Sequence, residues 1–167
     1  MNEGEFILKE LQKGHAGDPW HGPSRASVLG DVTMDEAARR PGAEGHTIWE
    51  LVLHMGAWTR EVARRMREGN PGEPAAGDWP PMGALSESRW EGAVDGLATA
   101  HDEVAAAIRA MRDGQLDENV GGDRDAPLGS GVTHREMLHG LAQHDAYHTG
   151  QASILKRLYR GADARAR

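Results

Sequence analysis

Residues 133–159 read T-H-R-E-M-L-H-G-L-A-Q-H-D-A-Y-H-T-G-Q-A-S-I-L-K-R-L-Y, and the periodicity of this stretch decides the fold. Thr133, followed three residues later by Glu136, is a reciprocal helix-start signal: each side chain satisfies an amide that the first turn leaves free. Met137, Leu141, Leu155 and Leu158 then recur at helical spacing and mark one buried stripe. At about 100° per residue, His144 and His148 fall within that same stripe. Two imidazoles one turn apart on a face meant for the core require a reason, because even a neutral ring must find hydrogen-bond partners indoors. A lone inward histidine reads as a satisfied core residue. An i, i+4 pair can also converge on one cation at about 2.0–2.1 Å from each nitrogen.

Working outward, Glu3 to Lys13 predicts a first helix with a weak stripe of Phe6, Ile7 and Leu11, interrupted at Gly14 and Gly17-Asp18-Pro19. A short turn of helix is expected through Leu29, and Thr33 with Glu36 opens another segment that Pro41-Gly42 ends. The second long helix starts at Thr47 with its partner Glu50 and buries Ile48, Leu51, Val52, Met55, Trp58, Val62 and Met66. Gly69-Asn70-Pro71 stops it, and the Pro- and Gly-rich run to Leu85 reads as a surface connection with Trp79 folded back. The third carries Trp90, Val94, Leu97, His101, Val104, Ile108 and Met111 as a seam with one histidine in it. Residues 113–132 read as a second connection, 161–167 as a frayed tail, and no segment alternates as a strand. The expected class is therefore all-α: a four-helix bundle in one domain over 1–167, with helices at about 3–13, 47–68, 87–112 and 133–160 joined by long connections.

The chain has no cysteine, which excludes disulfides, thiolate ligands and a cysteine nucleophile. Its start, M-N-E-G-E-F-I-L-K-E, lacks the pattern of a signal peptide, and no apolar run approaches the roughly 20 residues of a membrane helix. A cytoplasmic protein without membrane partners is expected. A formal charge of −7 argues against nucleic acid as a partner. The basic residues at 60–67 and 156–167 read as solvated helix ends complementing the dipole. The five tryptophans serve equally as core or as pocket wall.

A catalytic zinc-type site uses three protein ligands and keeps a position open. His144 and His148 supply two, and periodicity offers two candidates for the third. His54 sits at the edge of the buried face of its helix, and His101 lies inward on a seam where a plain core role also fits. His21 suits a tight turn or a pocket wall, whereas His15, His46, His134 and His139 read as loop or outer-face residues. Glu136-x-x-His139 has di-iron spacing, but both residues turn away from the stripe and Glu136 already caps a helix. His144-Asp145-x-x-His148 carries Asp where a metalloprotease needs the longer Glu as its base.

Taken together, Thr47 to Trp58 (T-I-W-E-L-V-L-H-M-G-A-W) and Gln143 to Gln151 (Q-H-D-A-Y-H-T-G-Q) resemble the DinB superfamily of bacterial four-helix bundles, with the resemblance running from about Trp20 to Leu158. That family's pattern of one histidine on the second helix and H-x-x-x-H on the fourth implies His54, His144 and His148 as ligands of a divalent metal. It demotes His101 to a candidate pocket residue beside His21 and Trp58. Three neutral imidazoles leave the ion's charge uncompensated, which suits Zn²⁺ or Ni²⁺ and argues against a non-haem iron oxygenase. Glu50, Asp145 and Gln151 are candidates to accept the second N–H of a liganding ring. The resemblance further implies a small-molecule substrate, a homodimer, and either hydrolysis or thiol S-transfer with a low-molecular-weight thiol as co-substrate. Two rival readings stand beside it: a non-catalytic bundle braced by the metal, and a metal-free core of mutually bonded histidines.

Overall fold

Helices begin where side chains can satisfy their first amides. In the computed structural model, which describes residues 2–126 and 128–165, reciprocal caps open four of them. Asn2 with Glu5 precedes α1 (Glu3–Ala16), Thr33 with Glu36 precedes α3 (Met34–Ala38), and Thr47 with Glu50 precedes α4 (Ile48–Glu68). Ser24 and Ser86 cap α2 (Arg25–Leu29) and α5 (Glu87–Arg109). At the start of α6 (His134–Arg165), Thr133 N donates to Glu136 Oε2 at 2.8 Å and Glu136 N donates to Thr133 Oγ1 at 3.1 Å. Gly69 ends α4 in the left-handed region, at φ 72°. α4 packs on α5 and α6, and α1 packs on the same two helices. The short α2 lies against α1 and α6, and α3 against α4 and α5.

Several boundaries differ from the sequence expectation. α1 continues through Gly14 to Ala16, α5 ends at Arg109 rather than 112, and α6 runs on through Gly161 to Arg165. The predicted frayed tail is thus helical as far as Arg165, and its last two residues lie outside the described residues. The expectation of an all-α chain is corrected by a hairpin, β1 (Asn119–Asp125) with β2 (Ser130–Thr133), paired antiparallel through Asn119↔Thr133 and Val120↔Val132. Glycines conceal it from a search for alternation. At Gly131, with φ 69°, a Cβ would sit 2.6 Å from Arg124 Cα, so only glycine fits there. Val120, fully buried, anchors the hairpin in the core, and the half-buried Val132 packs against the same cluster.

The apolar interior falls into two clusters. One gathers Trp49, Val52, Met55, Trp90, Leu97, Ala152 and Tyr159, with Val28 and Leu29 from α2. The other gathers Ile7, Leu11, Val62, Met66, Val104, Ile108, Leu138 and Leu141. Between them, along every long helix, the sequence places polar side chains: His15 on α1, His54 on α4, His101 on α5, and His144, Asp145 and His148 on α6. The buried stripe of α6 runs Leu141, Asp145, His148, Ala152, Tyr159, so Leu158 is 60% exposed and Leu155 half-buried, contrary to the expected stripe. Apolarity alone points to the wrong edge of this helix, because an aspartate and an alanine hold its inward positions.

One buried ion pair ties the connections to the frame. Arg65 donates to Glu61 Oε1 at 2.7 Å and to the carbonyls of Gly72, Leu128 and Gly129 at 2.6, 2.8 and 3.2 Å. Glu61→Leu leaves a guanidinium that is 2% exposed without its counter-charge. The substitution is expected to cost about 3 kcal/mol, at the lower end for a broken buried pair because the carbonyls remain. Urea unfolding reads the loss as a lower midpoint, and a wild-type midpoint contradicts this account.

Candidate metal centre

A buried imidazole needs both ring nitrogens accounted for, one as donor and one as acceptor. α4 delivers His54 and α6 delivers His144 and His148 one turn apart, and one ring nitrogen from each lies within 4.8 Å of the others. The rings of His54 and His148 are 4.7 Å apart by centroid, and those of His144 and His148 are 4.5 Å apart. His54 Nδ1 lies 2.7 Å from the Asp78 carbonyl. A carbonyl only accepts, so Nδ1 carries the proton and Nε2 turns a lone pair inward. Trp58, half-buried, donates its Nε1–H to Asp78 Oδ1 at 2.7 Å and so steadies the residue that orients His54. His148 Nδ1 is held in the same way by Gln151 Oε1 at 2.7 Å.

His144 is the ring whose needs conflict. Its Nε2 faces His54 Nε2 at 3.0 Å, while its buried Nδ1 has no partner. With the proton on Nδ1, two lone pairs confront each other across the gap. With the proton on Nε2, a lone pair is buried at Nδ1 with no donor. A cation between the three rings takes up both confronting lone pairs and leaves Nδ1 as the protonated nitrogen. Tetrahedral coordination at about 2.0–2.1 Å places ligand nitrogens about 3.3 Å apart, close to the His54–His144 spacing. The donor set therefore fits a divalent metal.

Electrostatics favour the same state. Burial, and then the neighbouring His144, hold the His54 pKa below its ordinary value against the Asp78 carbonyl bond that raises it. Burial, with His144 and His54, pushes His148 down to about 4. These rings are neutral near pH 7 and keep their lone pairs. Trp79 covers one side, its indole stacked between His46 at 3.5 Å and His54 at 4.0 Å. On another side the His144 side chain is 28% exposed, beside the 64% exposed Tyr147.

The remaining predicted residues are placed as follows. Gln151 meets His148, as just described. Glu50 serves the α4 cap and accepts from Arg40 at 2.5 Å, away from the rings. His21 is exposed and borders a cavity of about 400 Å³ between α1 and α6, with Phe6, Trp20 and His139 but none of the three histidines. His101 is buried among charges: its Nε2 lies 2.8 Å from Asp145 Oδ2, and its ring stacks on His15. Asp145 accepts from Arg25 Nη1 at 3.0 Å, and Arg25 Nη2 lies 2.5 Å from His15 Nδ1. Burial opposes the Asp145 charge, yet His101, His144 and Arg25 outweigh it and hold the carboxyl well below its usual range.

Two histidines read as loop or outer-face residues are corrected: His15 belongs to this buried network, and His134 is 4% exposed with Nδ1 2.9 Å from the Glu118 carbonyl. His46 is exposed in a loop, as expected, and stacks on Trp79. Sequence reasoning missed Asp78, Arg25 and His15. None has a periodic signal, since Asp78 acts through its backbone and Arg25 stands in a five-residue helix.

The profile of the DinB superfamily matches residues 25–152, which contain all three histidines. The chain belongs to the DinB superfamily. The fold of this DinB-superfamily protein is similar to the crystal structure of a DinB-like protein from Bacillus subtilis. The two are 18% identical, with a TM-score of 0.63 over 92% of each chain, a likeness of fold alone. No curated protein matches the chain.

The buried network makes stability depend on pH. Burial, then Arg25 and His101, push His15 from 6.5 down to about 4, against the attraction of Asp102 and Asp145. The unfolded ring therefore takes up its proton more readily than the folded one. The stability His15 contributes is whole above about pH 6.5 and is lost as pH falls towards 4. The metal-free protein should lose stability across that window, and His15→Gln should reduce the slope by about one proton. Equal slopes for the two proteins would contradict the burial of a neutral His15.

Proposed function

We propose that this protein is a metal-dependent enzyme, a thiol S-transferase or a hydrolase, in which His54, His144 and His148 hold Zn²⁺ or Ni²⁺. The conflict at His144, whose two nitrogens cannot both be satisfied by protein groups, carries this reading. A cation held there supplies Lewis acidity, which acidifies a water or a thiol and readies it as a nucleophile. The chain's own part is positioning: the Asp78 carbonyl and Gln151 fix two rings as Nδ1–H tautomers, and Trp79 shields one flank from solvent. Because the chain has no cysteine, a reacting sulfur must arrive on a small molecule.

The cluster contains three histidines and, among the described residues, no carboxylate, which favours an open coordination position over a metal that only braces helices. We read the chain as one bundle domain acting in the bacterial cytoplasm on a small-molecule substrate, as a homodimer. The charge of −7 favours that over a nucleic-acid substrate, and no described helix is long and apolar enough to cross a membrane.

Two measurements test the proposal. Protein purified without a His-tag should carry about one divalent metal per chain, and His148→Ala should carry none; unchanged metal content in that variant refutes the ligand set. Reconstituted with Zn²⁺ or Ni²⁺, the enzyme should turn over either thiol and electrophile pairs or hydrolysable esters and amides, with rates dependent on the metal. Turnover that survives full removal of the metal contradicts the proposal.

A further inference from the structure

The three rings are not oriented alike. His54 and His148 each place Nδ1 at 2.7 Å from an acceptor, whereas His144 Nδ1 is buried without one. The nearest carboxylate oxygen to it is Asp145 Oδ1, at 3.9 Å, which is equally buried and equally without a partner. The other oxygen of that carboxylate is committed: Arg25 Nη1 donates to Oδ2 at 3.0 Å and His101 Nε2 lies 2.8 Å from it. Arg25 is 2% exposed and His101 7% exposed, and His15 packs against both. A carboxylate fixed through one oxygen, with its second oxygen free beside an unpartnered ring nitrogen, is built to receive a proton donor.

We infer that Asp145 is a positioning residue for the metal centre: it accepts the Nδ1–H of His144 and thereby turns Nε2 towards the cation. Arg25 and His101 hold Asp145 in place for that task. At 3.9 Å the two atoms are beyond hydrogen-bond length, and the inference requires that binding of the cation bring them together. The Arg25 guanidinium, which donates to Oδ2, offsets the charge of the carboxylate, so Asp145 acts on His144 chiefly through a directed bond. This explains why a charged cluster reaches across the bundle interior from α2 to α5 and α6, where apolar side chains would have packed at lower cost.

The inference rests on the proposed metal site, and the experiment separates the two. Zn²⁺ affinity is measured by chelator competition for wild type, Asp145→Asn, and Tyr159→Phe, which loses a buried hydrogen bond to the Arg39 carbonyl far from the rings. Asp145→Asn should bind Zn²⁺ roughly 10- to 100-fold more weakly and shift the visible bands of the Co²⁺-loaded protein. Tyr159→Phe should lose stability and keep wild-type affinity and spectrum. In Zn²⁺-loaded wild type, nitrogen-detected NMR should find His144 protonated at Nδ1 and coordinated through Nε2, a readout that stands even if Asp145→Asn does not fold. Wild type that takes up no zinc sinks the metal reading and this inference with it. Uptake by wild type with equal affinity in Asp145→Asn, or His144 coordinated through Nδ1, sinks the inference alone.

Discussion

The arrangement depends on a layer of buried polar groups lying between two apolar clusters. Polar side chains in such a place stabilise nothing by themselves, because each must recover in hydrogen bonds what it loses in hydration. The layer meets that demand with a division of labour. Arg25, His15, His101 and Asp145 satisfy most of one another's needs on the side facing α1 and α2. His54 and His148 take an acceptor each from the Asp78 carbonyl and Gln151 on the side facing α4. The two halves meet at the His144–Asp145 peptide, where two buried atoms face each other without partners. Two facing buried atoms without partners, beside three converging imidazoles, point to a ligand.

The connections matter as much as the helices. Asp78 and Trp79 lie outside any helix, yet one orients His54 and the other covers it. Trp58 holds Asp78 from α4, while Arg65, one helical repeat further on, holds the carbonyls of Gly72, Leu128 and Gly129. α4 thus supplies a metal-ligand candidate and also the anchors for the loops around it. The Glu61–Arg65 pair belongs to the same logic: its role is to fix loop backbone, for which a guanidinium with several donors suits better than any apolar side chain.

Much of the frame was legible because its signals are local. The reciprocal caps at Thr33, Thr47 and Thr133 and the stop at Gly69 mark helix ends through bonds spanning three or four residues. The i, i+4 spacing of His144 and His148 was equally plain, and the pairing of His54 with them came from the family resemblance, since periodicity left His101 open beside it. What stayed hidden depends on long-range contact. The hairpin at 119–133 is paired through glycines that carry no alternation. The inward turn of Asp145 looks like an outward one when apolarity is the guide, and Arg25 reaches it across 120 residues of sequence. His15 appeared to lie beyond the end of a helix that in fact continues past it.

The central claim is that one cation sits among imidazoles from α4 and α6. The most direct test is a crystal of the metal-loaded protein with anomalous diffraction recorded at the metal edge. The account predicts a single strong peak about 2.0–2.1 Å from Nε2 of His54, His144 and His148 alike, with a non-protein ligand completing the shell. A peak bound by only two of these rings, or by His101 in place of His54, would contradict it.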